Sequence, residues 1–239
     1  MKRIGILGGI SHESTIEYYM LILKKYYERK KDYYYPEIII FSLDFQKFTD
    51  FENKNNVEGY VEYIMKGINS LQNAGVDFII MAANSPHIVF NEISKKSKVP
   101  MINIAEVTAK KAKMEGMKKL LLLGIKFTMQ SHFYKDICNK HDIEVITPSE
   151  EEQDQINKII FDGLCIGIFK DESKSRILQI IDNYKTDGVI LGYTELPLII
   201  KQDDSKKKLL DTADLHAEAA LEYAINKIYK QWGKFLSIA

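Results

Sequence analysis

Four short segments hold most of the side chains in this sequence that could bind a small charged molecule or move a proton. The first, Gly8-Gly9-Ile10-Ser11-His12-Glu13-Ser14-Thr15, sets a glycine pair between an apolar run and a Ser/Thr-rich stretch. Glycines at such a junction let backbone N–H groups approach an anion at the positive end of a helix. The pattern is not GxGxxG, and no acidic residue follows at the distance a dinucleotide requires, so a nucleotide site is not indicated. His12 adds an imidazole that, when neutral, can relay a proton. The second segment is Ala83-Asn84-Ser85-Pro86-His87, the third Leu123-Gly124-Ile125-Lys126-Phe127-Thr128-Met129 and the fourth Gly192-Tyr193-Thr194-Glu195-Leu196-Pro197-Leu198. Ser, Thr and Asn in such places cap helices and close turns. Cys138 and Cys165 offer neither metal-ligand spacing nor a disulfide framework.

The elements that would position these segments alternate between short β-rich runs and longer helical stretches, the pattern of a parallel α/β sheet. Residues 2–8 read as a buried strand followed by a helix from about Ser14 to Lys30. Strands are expected at Glu37–Ser42, Asp77–Met81 and Val99–Asn103, with a helix at 57–73 and another opening at Pro86. The second half repeats the scheme. Strands are expected at Lys119–Leu123, Ile143–Ile146 and Gly188–Leu191, and a helix near Thr128. Helices are also expected at 151–169 and 173–184, with a last one from Thr212 to about Trp232. The apolar runs are continuous, as in strands covered on both faces. Leu7-Gly8-Gly9 is echoed by Leu122-Leu123-Gly124. The stretch Met81 to Pro86 is echoed by Leu191 to Pro197, each a strand end followed by small polar residues and a proline. Two pseudo-equivalent α/β halves follow, with ligands expected at the carboxyl ends of their strands.

Composition narrows the partners. Thirty-three Lys and Arg balance thirty-three Asp and Glu, so no overall field favours nucleic acid or an anionic membrane surface. Apolar residues make up 46% of 239, enough for a sizeable core. The opening residues resemble a first strand rather than a signal peptide, and no stretch approaches the ~20 apolar residues of a bilayer span. With two unpaired-looking cysteines, the expectation is a reduced, cytoplasmic protein.

In combination the four segments are more specific than any one of them. Gly-Gly-x-Ser-x-Glu-Ser-Thr-x-x-Tyr-Tyr from Gly8, Ala83-Asn84-Ser85-Pro86-His87, Leu123-Gly124-Ile125-Lys126-Phe127-Thr128-Met129 and Gly192-Tyr193-Thr194-Glu195 occur in order between Lys2 and Ala224, followed by a closing segment, Asp211-Thr212-Ala213-Asp214-Leu215-His216-Ala217. This series resembles the cofactor-independent aspartate/glutamate racemase family. The resemblance implies two pseudo-symmetric three-layer α/β subdomains, each with a mostly parallel sheet, and an active-site cleft between them. The boundaries are expected as 1–104 plus 212–239 for one subdomain and 105–211 for the other. It also implies a homodimer acting on an amino acid without pyridoxal phosphate or metal.

Racemisation by this route needs one base to remove the α-proton and a second group to return a proton from the other side. The family places a cysteine at each position, because a thiol of pKa about 8.5 is easily lowered by helix ends and nearby donors. Here those positions are Ala83 and Tyr193. Alanine carries no transferable proton, and a phenol of pKa about 10 is a poor base, so Tyr193 is the one proton carrier the sequence offers there. Cys138 falls mid-helix and Cys165 is expected as a buried helix residue. The resemblance implies that Asn84, Ser85, Thr128 and Thr194 hydrogen-bond the α-carboxylate or α-amino group. Ile10, Ser11 and Gln46 are further candidate substrate contacts, and Glu195 is placed to orient a neighbour or accept the amino group. Aspartate-specific archaeal members tend to carry a lysine where Cys165 stands, so this segment is similar to the broader-specificity amino-acid racemases. The readings left open are an altered racemase or isomerase, a non-catalytic homologue that binds an amino acid or carboxylate, and another α-proton or lyase reaction.

Overall fold

The structure, a computed structural model, describes residues 1–54 and 56–226. It divides into two compact units: Met1–Val107 with the described part of Ala213–Ala239, and Thr108–Thr212.

In the first unit, β1 (Ile4–Gly8), β2 (Ile38–Ser42) and β3 (Phe78–Met81) form a parallel sheet in the order β2-β1-β3. Ile4 stands opposite both Ile38 and Phe78. Side chains alternate between faces, as the period of two in a strand requires. Ile4, Ile6, Phe78 and Ile80 pack with Tyr18 and Ile22 of the helix His12–Lys30 and with Ala217 and Leu221 of the helix Thr212–Ile225. Leu7, Ile79 and Met81 pack with Ile64, Ile68 and Leu71 of the helix Val57–Asn73 and with Phe48 of the helix Phe45–Asn53. Helix, sheet and helix therefore make three layers. The strand expected at Val99–Asn103 contracts to a single parallel bridge between Ile79 and Met101, since Pro100 has no N–H to extend a ladder.

In the second unit, β4 (Lys119–Leu123), β5 (Glu144–Ile146), β6 (Gly188–Leu191) and β7 (Lys208–Asp211) form a parallel sheet in the order β5-β4-β6-β7. Leu120 to Leu123 are fully buried, as befits a central strand. β7 is an addition to the sequence reading. The helix Glu150–Asp162 opens on a capping box between Ser149 and Glu152. It was expected to reach residue 169 but stops at Gly163, whose backbone leaves helical geometry at φ −137°, ψ −77°. A 3₁₀ turn, Leu164–Ile166, follows and is closed by Gly167 at φ +71°, before the helix Asp171–Asn183. The chain ends its described course in the helix Thr212–Ile225; the expected continuation to Trp232 lies outside the described residues. No described helix is long and apolar enough to cross a membrane.

Candidate functional site

All strands within each sheet run parallel, so the loops that follow them emerge at one sheet edge. In the first unit the loops after β1 and β3 carry the polar segments, with the short loop after β2 beside them. Gly9 turns the first of them at φ +83°, and a Cβ there would lie 2.3 Å from the Leu43 carbonyl oxygen and 2.5 Å from its nitrogen. Only glycine fits. The loop then closes on itself. Gly9 N–H donates to Thr15 Oγ1 at 2.8 Å, Thr15 Oγ1–H donates to the Ser11 carbonyl at 2.8 Å, and Ser11 Oγ caps the following helix by accepting from Ser14 N–H. The Ser14 hydroxyl ties the loop to the Ala82 carbonyl. The Gly9 and Ser14 amides at this helix start, where an anion was expected, thus already have partners. Ile10 and Ser11 are both buried, whereas His12 points out, 2.8 Å from Glu13.

The loop after β3 carries Ala83, Asn84 and Ser85, all buried. The His87 ring, stacked on Phe90, donates from Nδ1 to the Ala83 carbonyl at 3.0 Å. Its Nε2 is buried without a partner, which fits a neutral ring with a bare lone pair. Burial, with His216 alongside, pushes the His87 pKa well below its usual range. His216 accepts from Tyr18 at Nδ1 (2.9 Å) and donates from Nε2 to the Ile102 carbonyl (3.0 Å), and burial lowers it to about 4. Both histidines are neutral core groups. Ser85 has partners that its local sequence does not announce. With the Tyr60 hydroxyl, 3.0 Å from Glu52 Oε1, it hydrogen-bonds the Glu52 carboxyl, whose pKa burial raises despite those two donors. Gln46 lies on the exposed side of its helix, bonded to Asp50 at 2.8 Å.

In the second unit the loops after β4 and β6 touch through their backbones. Gly192 N–H donates to the Leu123 carbonyl at 2.7 Å, and a Cβ on Gly124 would meet the Gly192 carbonyl oxygen at 2.9 Å. Thr128 is 1% exposed, with its methyl 3.6 Å from where a Gly192 Cβ would stand, and its hydroxyl has no partner. A buried hydroxyl left unpaired costs roughly 1–3 kcal/mol, which a ligand group can recover. Beside it runs a polar chain. Thr194 Oγ1–H donates to Glu195 Oε2 at 2.6 Å, Tyr193 Oη–H reaches Glu195 Oε1 at 3.1 Å, and Cys165 Sγ lies 2.8 Å from Tyr193 Oη. Glu195 is 1% exposed, while Tyr193 and Cys165 are half-buried. Burial, the Glu195 charge and Cys165 all drive the Tyr193 pKa far up, so the phenol keeps its proton and acts as a donor.

Cys165 is the residue whose setting departs most from the sequence reading. It is not a buried helix residue: it stands in the 3₁₀ turn between Gly163 and Gly167, partly open and facing Tyr193. The two flanking glycines were the available signal. Cys138 is buried in the helix Phe133–Asn139, as expected. Glu52 and Tyr60 were also missed, because their link to Ser85 spans 33 and 25 positions and leaves no local pattern. Among the described residues no three His, Cys, Asp or Glu side chains gather as a metal-binding set.

Comparison with known proteins agrees with this architecture. Residues 7–220 match the family model described as Asp/Glu/Hydantoin racemase. The chain is 30% identical over 160 residues to the broad specificity amino-acid racemase RacX of Bacillus subtilis, covering 66% of this chain and 69% of that one. Among solved structures it is similar to an aspartate racemase homologue from Pyrococcus horikoshii. The TM-score is 0.83 and the identity 38%, over 95% of this chain and 100% of that one. It is also similar to the aspartate racemase of Picrophilus torridus, with TM-score 0.78 and 25% identity over 97% of each chain. A family model that spans nearly the whole chain, together with two parallel sheets carrying polar loops at their carboxyl edges, leads to one conclusion: this protein belongs to the Asp/Glu/hydantoin racemase family.

Proposed function

We propose that the protein is an isomerase that exchanges the α-proton of an amino acid without pyridoxal phosphate, inverting the α-carbon through proton transfer on its two sides. The observation that carries this reading is the Thr128 hydroxyl, held fully buried and unpaired beside the loop that bears Tyr193, Thr194 and Glu195. A protein core rarely keeps such a group without a use, and a substrate carboxylate supplies the missing partner. In this reading Thr128 and Thr194 hydrogen-bond the substrate in the second unit, and Asn84 and Ser85 take the same part in the first. Ile10 and Ser11 shape the first loop, and Gln46 lies at its margin. The Ala83 position contributes no proton, so inversion is slow relative to family members with two thiols. A homodimer, as the resemblance implies, is part of the same proposal.

The test is α-proton exchange in D₂O, followed by NMR, across L- and D-amino acids including aspartate and glutamate. Protein-dependent deuterium uptake with the other enantiomer accumulating supports the racemase. A second reading, a homologue that binds an amino acid or small carboxylate and does no chemistry, draws on Ala83. It predicts saturable ligand shifts with no exchange on the whole panel, an outcome that sinks the isomerase.

A further inference from the structure

The position at the end of β6 that the family resemblance gives to a thiol carries Tyr193, yet a thiol reaches that place from elsewhere in the chain. We propose that Cys165 is the acid–base group at this end of β6, removing and returning the α-proton of a bound amino acid, with Tyr193 and Glu195 as the residues that position it. The inference rests on the isomerase reading above and goes beyond it by naming the group and the route by which the chain delivers it.

Three ionisable groups from two separate segments meet here. Cys165 Sγ is 2.8 Å from Tyr193 Oη, and Tyr193 Oη is 3.1 Å from Glu195 Oε1. The carboxylate is sealed from solvent while the thiol is half-open, so the array has an inner and an outer end, and the thiol is at the outer one. Ending a helix at Gly163 and closing the next turn at Gly167 puts Cys165 on a short 3₁₀ turn. A continuous helix would not leave it on such a turn. The unpaired Thr128 hydroxyl is an independent sign of a ligand at the same sheet edge, since Thr128 stands in the loop after β4, whose start is bonded to the residue preceding Tyr193 through Gly192 N–H and the Leu123 carbonyl.

The phenol has one proton and two acceptors. In the resting state that proton goes to Glu195 and the thiol donates to the phenolic oxygen. When the thiol proton leaves to solvent, the phenolic O–H turns to the thiolate, which it stabilises as a donor. The thiolate then takes the α-proton: the Cα–H bond breaks, an S–H bond forms, and the electron pair stays on the substrate, spread into its carboxylate. Reversal, after the thiol proton has exchanged with solvent, restores Cα–H on the same face and regenerates the thiolate. Inversion instead takes a proton from water on the opposite face and leaves the proton on the thiol, from which solvent removes it, so no oxidant or co-reactant is consumed.

Two measurements on the full chain test this. In the first, folded protein is treated with iodoacetamide and mapped by peptide mass spectrometry, with buried Cys138 as the internal control. Cys165 is expected to be alkylated at least tenfold faster than Cys138, and a saturating amino acid from the panel is expected to protect it. Tyr193→Phe is expected to move the pH midpoint of Cys165 alkylation upward by about one unit, because the thiolate loses its donor. A purely structural role for Tyr193 would leave that midpoint where it is. In the second, Cys165→Ser and Cys165→Ala, shown to be folded by near-ultraviolet circular dichroism, are expected to slow α-proton exchange by roughly 100-fold or more. Exchange by Cys165→Ser within threefold of the parent overturns the assignment of Cys165 while leaving the isomerase intact. Equal alkylation of Cys165 and Cys138 overturns it as well. No exchange by the parent protein removes the isomerase reading itself, and the catalytic role of Cys165 goes with it.

Discussion

The two units place similar chemistry behind their strand-end loops and then diverge. In the first, the Tyr60 hydroxyl donates to Glu52 at 3.0 Å and Ser85 joins the same carboxyl. In the second, Tyr193 donates to Glu195 at 3.1 Å and Thr194 joins that carboxylate. Each unit thus backs its loop with a phenol–carboxylate pair and a short hydroxyl. The difference is at the strand end. The first unit presents Ala83, a methyl group, whereas the second brings Cys165 to within 2.8 Å of its phenol. What this teaches is that a proton-transfer group and the polar frame behind it are separable. The frame is present twice, the transferable proton once. The units differ as well in what their frames depend on, because the first buries both neutral histidines and the second buries none of its own among the described residues.

The largest expected effect breaks the first loop. Gly9→Ala needs a left-handed backbone and drives a methyl into the Leu43 main chain, at a cost on the order of 4 kcal/mol. The matching change in the second unit, Gly124→Ala, meets the Gly192 carbonyl at 2.9 Å without a positive φ, and about 2 kcal/mol is expected. Urea midpoints of the two variants decide it, and equal costs would show that the two loops are built alike after all.

Acid should separate the units next. Burial holds His216 at about 4, against an ordinary value near 6.5, so between those values the unfolded chain binds a proton that the folded chain refuses. Stability is therefore intact above pH ~6.5 and falls as pH drops toward 4, by ~3 kcal/mol for this residue, with His87 acting in the same direction. Hydrogen exchange read by segment is expected to show β1–β3 losing protection between pH 6.5 and 4 while β4–β7 keep theirs. Loss of protection at the same pH in both sheets would remove the histidines as the cause.

These contrasts were only partly legible in the sequence. Apolar runs bounded by glycine and small polar residues located six of the seven strands, because a strand buried on both faces leaves an unbroken apolar signature. β7 escaped because Lys208–Asp211 is an edge strand with one fully buried side chain, and its polar composition reads as a loop. The strand-end loops were found by their own residues, since Asn84, Ser85, Thr128 and Thr194 sit where chain polarity changes. The groups behind them were not. Glu52 and Tyr60 lie on two separate helices, and Cys165 reaches Tyr193 across 28 positions. Pairings of that kind are set by tertiary packing, which periodicity does not encode. Cys165 was in part recoverable, since the Gly163 and Gly167 pair argues against a helix running through it.

The smallest expected effect sharpens the account of the first unit. Burial raises the Glu52 pKa, and the Ser85 and Tyr60 donors only partly oppose it. For an acid raised on folding, the folded chain holds more protons than the unfolded one between the ordinary value near 4.5 and the raised value. Stability therefore falls as pH rises through that window, the reverse of the histidine effect. Glu52→Gln cannot ionise, keeps an oxygen to accept from Tyr60, and removes the penalty. A gain of about 1 kcal/mol is expected at pH 7.5, with little or none at pH 4, where the parent carboxyl is largely protonated in both states. Denaturant midpoints at the two pH values measure it. A loss at pH 7.5 would mean that the charged carboxylate is what holds Tyr60 and Ser85, and the first unit's frame would then be ionic.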